Sequence, residues 1–563
     1  MRSPGIWALR GHHLLLLLLI LIFLGLFFYY PLITVLHGGI RGTEQRFSVQ
    51  PLISLLADSY YRRIILFTFT QALLSTVLAV LFGLPGAYLL ARFRFPGKRL
   101  VRALTTIPFV LPSILVVLGF VLFFGNNGIL NRALMSLLHL DEPPLRVLYS
   151  LKAILLAHAF YNFPICIRIV SGLWSRINPH LEEAARSLGA RGWRLFRRVT
   201  LPQIMPGVLA SAALIFIFCF MSFAVVLVLG GGPRYATLEV EVYRLAKVGL
   251  DLGAASRLAA IGSLLTLLFL YVYIKLQQRA SFAETAGAGW ELRPLSALFG
   301  KAGALAALAV LVYLVLMVVV VLAPMLSVVY FSFLRRFGWA GQTHLSLHWY
   351  RMLLGGSLSG VSYLRAIRNS LIYGGLTVLC ALPLGTAIAY LTGRKQFFGR
   401  HGLETLAMLP MGVSTIILGL GYLKLAPVFR LTGGRAGIVA AHTVIAYPFV
   451  IRAVSSMVRK ISPSLPEAAR SLGANPRRLF FKIELPLLKP GILAGAAFAF
   501  AISLGEINAT LMLYKPSLIS IPVAIYRLIS SYNFFAACAM GSLLMLTSLL
   551  AFIVIDRIGE GVF

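Results

Sequence analysis

Few side chains in this sequence could do chemistry, and most of those come in matched pairs. The stretch Glu-Ala-Ala-Arg-Ser-Leu-Gly-Ala occupies Glu183–Ala190 and recurs at Glu467–Ala474, 284 positions later, so a carboxylate and an arginine are presented twice on a small polar segment. His158 and His442 stand at the same offset. Imidazoles can ligate a metal, but neither histidine has a carboxylate or cysteine at ligand spacing, so helix-packing histidines and no metal site are expected. Glu506 and Asn508 lie within an apolar run, where a carboxylate is costly and turns toward a cavity or a partner. Such a group either lines a path for a cationic substrate or serves structural pairing. At the 284 offset Glu506 corresponds to Ser222. The halves therefore differ at this depth, and Glu506, Asn508 and Ser222 are the candidate path residues.

The elements that carry these residues are dictated by composition. The chain has 563 residues, of which 59% are hydrophobic and only 12% charged, and its mean hydropathy is +0.89. A soluble domain has about 25% charged residues, so the chain reads as an integral membrane protein. A net charge of +34 could suggest nucleic acid. No basic soluble domain carries it, however, and the basic residues punctuate apolar runs as flanks of membrane helices do. Arg168 and Arg452 are expected to snorkel. Cys166, Cys219, Cys380 and Cys538 fall in apolar runs without a CxxC or CxxH pair, and read as buried small hydrophobes. The run from Leu14 to Tyr30 is too long for a cleavable leader and reads as a first membrane helix.

A spanning helix needs about 20 mostly apolar residues. Such runs predict twelve spans: 13–36, 64–91, 103–124, 149–174, 203–229 and 254–274, then 302–332, 367–392, 402–423, 437–458, 488–514 and 533–555. Lys and Arg in short loops set the direction. The connector Arg92–Arg102, its counterpart with Arg394, Lys395 and Arg400, and both Glu-Ala-Ala loops fall on one side, expected to be cytoplasmic together with both termini.

The repeat extends beyond eight residues. Between Pro179–Gly207 and Pro463–Gly491 roughly 17 of 29 positions are identical, and Pro164 and Arg168 pair upstream with Pro448 and Arg452. Each half is a six-helix unit. Six is even, so the repeat is parallel, and its natural substrate path is the interface between halves. The expected division is 1–280 for the first half, 281–301 for a cytoplasmic linker and 302–563 for the second half. Asn178-Pro179 predicts an N-cap and first turn, and Ser464-Leu465-Pro466-Glu467 a capping box. Gly189 and Gly473 should end the short helices, and Asn475-Pro476 should open a second one. No GxxxxGK[ST] phosphate loop is found; Gly97-Lys98-Arg99 and Gly300-Lys301-Ala302 lack the rest. Gly230-Gly231-Gly232-Pro233, with no lysine-serine after it, reads as a re-entrant or gating loop.

The twin loops resemble the EAA loop of ABC-importer permeases. That resemblance implies an all-α fold of about 12 transmembrane helices in two parallel six-helix repeats, of the type I importer kind. It implies that Glu183, Ala184, Ala185 and Gly189, with Glu467, Ala468, Ala469 and Gly473, form coupling helices that dock two copies of a separate ABC ATPase. ATP would be used by those subunits, with no cofactor bound by this chain. An extracytoplasmic solute-binding protein would deliver substrate, the chain would lie in a bacterial cytoplasmic membrane, and nucleic acid would not be a partner. The fused arrangement looks like the thiamine and ferric-iron permeases. Ser222-Phe223-Ala224 through Leu229-Gly230-Gly231-Gly232-Pro233, then Thr237-Leu238-Glu239-Val240, resembles the thiamine branch. Ser503-Leu504-Gly505-Glu506, then Ala509-Thr510-Leu511, is similar to iron-type permeases as well. The contrasting reading is a secondary transporter driven by an ion gradient, which also uses parallel six-helix repeats but more often carries several intramembrane titratable groups; Glu506 is the one clear case here.

Overall fold

The computed structural model describes residues 11–40, 48–102, 105, 111–284, 292–336, 343–358, 361–462 and 464–559. Both termini, residues 285–291 of the linker and the start of the predicted span 103–124 lie outside the described residues. Long apolar runs become helices because a lipid-embedded backbone must satisfy its own polar groups. Among the described residues eleven helices are long and apolar enough to cross a membrane, or twelve if a pair bent by 95° counts as one span.

In chain order, α1 runs from Gly11–Leu24 through a π-turn at Gly25–Tyr29 into Tyr30–Ile40. There follow α2 (Ser59–Arg92), α3 (Ser113–Phe124), α4 (Ile129–Leu138) and α5 (Leu151–Trp174). Next come α6 (Pro179–Ser187), α7 (Leu201–Phe220), α8 (Ala224–Leu229), α9 (Leu238–Lys247) and α10 (Leu252–Glu284). The second half opens with α11 (Ser296–Ser332), then α12 (Tyr363–Arg394), α13 (Arg400–Met408), α14 (Thr415–Leu425) and α15 (Gly434–Lys460). It closes with α16 (Ser464–Ser471), α17 (Leu485–Gly505), α18 (Asn508–Leu513), α19 (Ile521–Ser530) and α20 (Phe534–Gly559). Among the described residues strand is confined to short pairs, one of them a parallel contact of β1 (Phe93–Arg94) with β2 (Arg293–Pro294).

Three predicted spans are interrupted. The run 203–229 divides into α7 and α8 around Met221–Phe223, and 488–514 into α17 and α18 at Glu506-Ile507. The run 402–423 turns sharply between α13 and α14. Hydropathy is continuous across each break, which is why the sequence reads them as straight.

The chain forms two compact units. One holds residues 54–241 and 261–331; the other holds 1–53, 242–260 and 332–563. The leading helix of each sequence half therefore packs with helices of the other half. In the first unit Tyr313 of α11 donates to the Phe82 carbonyl at 2.9 Å, and Gly119 of α3 lies against Pro324. In the second, Tyr422 of α14 donates to the Phe27 carbonyl of α1 at 2.7 Å, and Gly421 lies against Pro31.

Glycines set the closest helix approaches. A Cβ on Gly83 of α2 would stand 2.7 Å from Cys166 Cβ on α5, and one on Gly385 of α12 would stand 2.7 Å from Val450 Cβ on α15. Small residues let membrane helices approach this closely. Gly83 and Gly385 are related by an offset of 302, as are Ala79 and Ala381, Tyr88 and Tyr390, and Arg92 and Arg394. The offset exceeds 284 because the first half has a longer connector after α3, which includes α4.

Candidate functional site

The twin loops fold into matching devices. Asn178 Oδ1 accepts the His180 backbone N–H at 3.0 Å and opens α6. In the second half Ser462 Oγ, rather than Ser464, accepts the first helical N–H, that of Ser464, at 3.4 Å. Ser464 is therefore not the N-cap that the predicted capping box needs, because it is already helical; Pro463 lies outside the described residues. Both helices end alike. Gly189 has φ +83° and Gly473 φ +80°. Ala190 N–H reaches the Ala185 carbonyl at 2.9 Å and Ala474 N–H the Ala469 carbonyl at 3.0 Å, while Gly189 and Gly473 N–H bond to Arg186 and Arg470 at 2.9 Å. This bond pair is a Schellman closure, and its left-handed residue favours glycine. Asn475 Oδ1 then accepts the Arg478 N–H at 2.7 Å and opens the next turn, Pro476–Leu479.

These closures present a consistent face. Glu183, Ala184, Glu467 and Ala468 are exposed, Ala185 is half-buried and Ala469 buried. Leu188 and Leu472 are each 89% exposed, and Trp193 is 70% exposed. Two leucines are thus left bare at equivalent helix ends, each following a short helix that exposes a glutamate. On the neighbouring connector, Lys98 Nζ donates to the Phe93 carbonyl at 2.7 Å. Burial and the adjacent Arg102 pull its ammonium below the ordinary lysine range.

The histidines occupy parallel niches at the helix breaks, each within its own unit. His158 Nδ1 lies 3.0 Å from Ser75 Oγ and Nε2 lies 2.8 Å from Ser222 Oγ. His442 Nδ1 lies 2.7 Å from Ser503 Oγ, with Nε2 2.8 Å from Thr510 Oγ1 and 3.4 Å from Glu506 Oε2. Ser222 and Glu506, the equivalent candidates, therefore both turn toward the histidine of their own half. Glu506 also accepts from the Ala509 and Thr510 backbone N–H groups at 2.9 and 3.0 Å and from Thr510 Oγ1 at 2.8 Å. Its carboxylate is thereby the cap of α18 at a helix start, where the dipole favours an anion. Asn508 goes elsewhere: its Nδ2 donates to Thr415 Oγ1 of α14 at 2.9 Å. No group of three His, Cys, Asp or Glu among the described residues could hold a metal ion.

Sequence reasoning missed two buried carboxylates, one on α6 and one in the turn that precedes α17. Glu182, one residue before the repeated octet, is 2% exposed and pairs with Arg92. Glu484 is 3% exposed and accepts from Tyr390 Oη at 2.7 Å. Neither repeats at the 284 offset, and a search for repeated residues passes over both.

The two-fold pattern of membrane helices and capped loops has a counterpart among known proteins. Residues 79–282 and 381–562 each match the family described as binding-protein-dependent transport system inner membrane component. The chain belongs to that family. The permease is 28% identical over 513 residues to the thiamine transport system permease protein ThiP of Escherichia coli K12, covering 90% of each chain. It is 29% identical to ThiP of Haemophilus influenzae, covering 88% of each. It is also 27% identical to the putative ferric transport system permease protein FbpB 1 of Haemophilus influenzae, over 83% of this chain and 72% of that one. The resemblance to thiamine and ferric permeases read from the motifs is thus found along most of the chain, with the family domain present twice.

Proposed function

We propose that this permease moves a small cationic solute, thiamine before ferric iron, from an extracytoplasmic binding protein into the cytoplasm, driven by two copies of a separate ATPase. The observation that carries the reading is the pair of Schellman-closed helices, α6 and α16, each presenting an exposed glutamate and leucine. Two equivalent docks suit two equivalent nucleotide-binding subunits. Closure of the ATPase pair favours one state of the permease through differential affinity, as a ligand-driven switch requires. Thiamine is placed first because its transport relatives align over 88 and 90% of their own length, against 72% for the ferric one. A gradient-driven mechanism is disfavoured because Glu506, the clearest intramembrane acid, is occupied as a helix cap.

The test is reconstitution of the permease in vesicles with its ATPase and binding protein. ATP-dependent uptake of labelled thiamine is expected, with no response to a proton or sodium gradient. Gradient-driven uptake without the ATPase would overturn the reading; ATP-dependent uptake of ferric iron alone would change only the substrate.

A further inference from the structure

The helices α2 and α12 both end on an arginine, Arg92 and Arg394, one turn after a tyrosine, Tyr88 and Tyr390. A cation suits the C-terminal end of a helix, but a half-buried guanidinium still needs a counter-charge. Each arginine has one, and the two halves supply it from different elements.

In the first half the carboxylate is Glu182, on the docking helix itself. Its side chain is 2% exposed and pairs with Arg92. Thr200 Oγ1 donates to it at 2.8 Å, and Arg186 of α6 lies 3.3 Å from its second oxygen. In the second half the carboxylate is Glu484, in the π-turn that leads into α17. Tyr390 Oη donates to it at 2.7 Å, and Arg394 Nε lies 3.9 Å from its Oε1. The 284 offset aligns Glu182 with Pro466 and Thr200 with Glu484. Across the repeat the carboxylate has changed places, from the docking helix to the wall behind it. Each site it leaves is filled by a residue without charge.

We propose that Glu182 is a positioning residue that locks docking helix α6 to membrane helix α2, and that the second half carries the equivalent lock, Glu484, off its docking helix. The two docks are then mechanically unequal. A push on α6 reaches α2 through a buried ion pair. A push on α16 passes through packing, with Pro466 and Ala469 buried behind it. The proposal rests on reading α6 and α16 as the ATPase docks.

The test uses the full permease with its ATPase and binding protein in vesicles, and moves the carboxylate. Glu182→Ala should retain bound ATPase yet lower solute transported per ATP hydrolysed by about five-fold or more, the lower end of common coupling energies. Adding Thr200→Glu gives Arg92 a carboxylate off α6, as in the second half, and should recover thermal stability while that ratio stays low. Unchanged coupling in Glu182→Ala overturns the proposal, and so does a double variant that regains coupling, because a carboxylate off α6 would then serve as well. If Glu182→Ala is lost from the membrane, the double variant must recover level without coupling; recovery of both, or of neither, overturns the lock. The docking reading fails separately, if cysteines at positions 188 and 472 of the otherwise unaltered permease do not cross-link to the ATPase.

Discussion

Glu506 Oε1 accepts the backbone N–H of Ala509 at 2.9 Å, so the acidic group of the eleventh predicted span closes the start of the short helix after its break. Loss of a capping side chain costs about 0.5–2 kcal/mol. Glu506→Ala should therefore lower the unfolding temperature of the purified permease. Glu506→Gln keeps an acceptor oxygen and should remain in the membrane with the ATPase bound, but with impaired uptake, since the charge beside His442 is gone. Uptake by the Gln variant equal to wild type would remove the charge from the transport step. An Ala variant as stable as wild type would remove the cap.

Substitutions at Gly189 and Gly473 should be separable from folding. A Cβ at either would meet nothing within 4 Å, yet both glycines sit at positive φ. A side chain there strains the left-handed turn by about 1–2 kcal/mol and projects into the open face. Replacing both with tryptophan should release the ATPase on purification while permease levels stay near normal. Retention of the ATPase with full coupled hydrolysis would show that these turns are not the dock.

Gly83 and Gly385 predict the opposite behaviour. Any Cβ at these sites enters the facing helix, at Cys166 and Val450. Leucine at either position should cost about 1–3 kcal/mol by overpacking, read as a lower unfolding temperature with ATPase binding intact in the surviving protein. Because the sites are equivalent, the two losses should agree within about a factor of two. A neutral substitution at either would mean that the approach of α2 to α5, or of α12 to α15, relaxes freely.

The sequence was most legible where local chemistry repeats itself. Asn178, Gly189, Gly473 and Asn475 each announce a cap or a turn within a few residues, and all four do what their neighbours imply. The spans were legible because lipid demands long apolar runs. The breaks at Met221–Phe223 and Glu506-Ile507 were not, because hydropathy sums side chains and is blind to a backbone that turns while staying apolar. Glu182 and Glu484 were hidden for a different reason. Their equivalence exists in space, through Arg92 and Arg394, while the repeat aligns each with an uncharged residue. The partnership of α1 with α14 leaves no mark in either segment alone, since each is simply apolar.

That last pairing has a consequence for how the protein is made. Tyr422 reaches the carbonyl of Phe27 across 395 residues of chain. At roughly 5–20 residues per second of synthesis, the first helix waits about 20 to 80 seconds between leaving the ribosome and meeting its seat. Throughout that interval its packing face is covered by lipid or by whatever helper the membrane offers. The emergence of α14, with α15 to α20 still to be made, is therefore the moment at which α1 can first be held there.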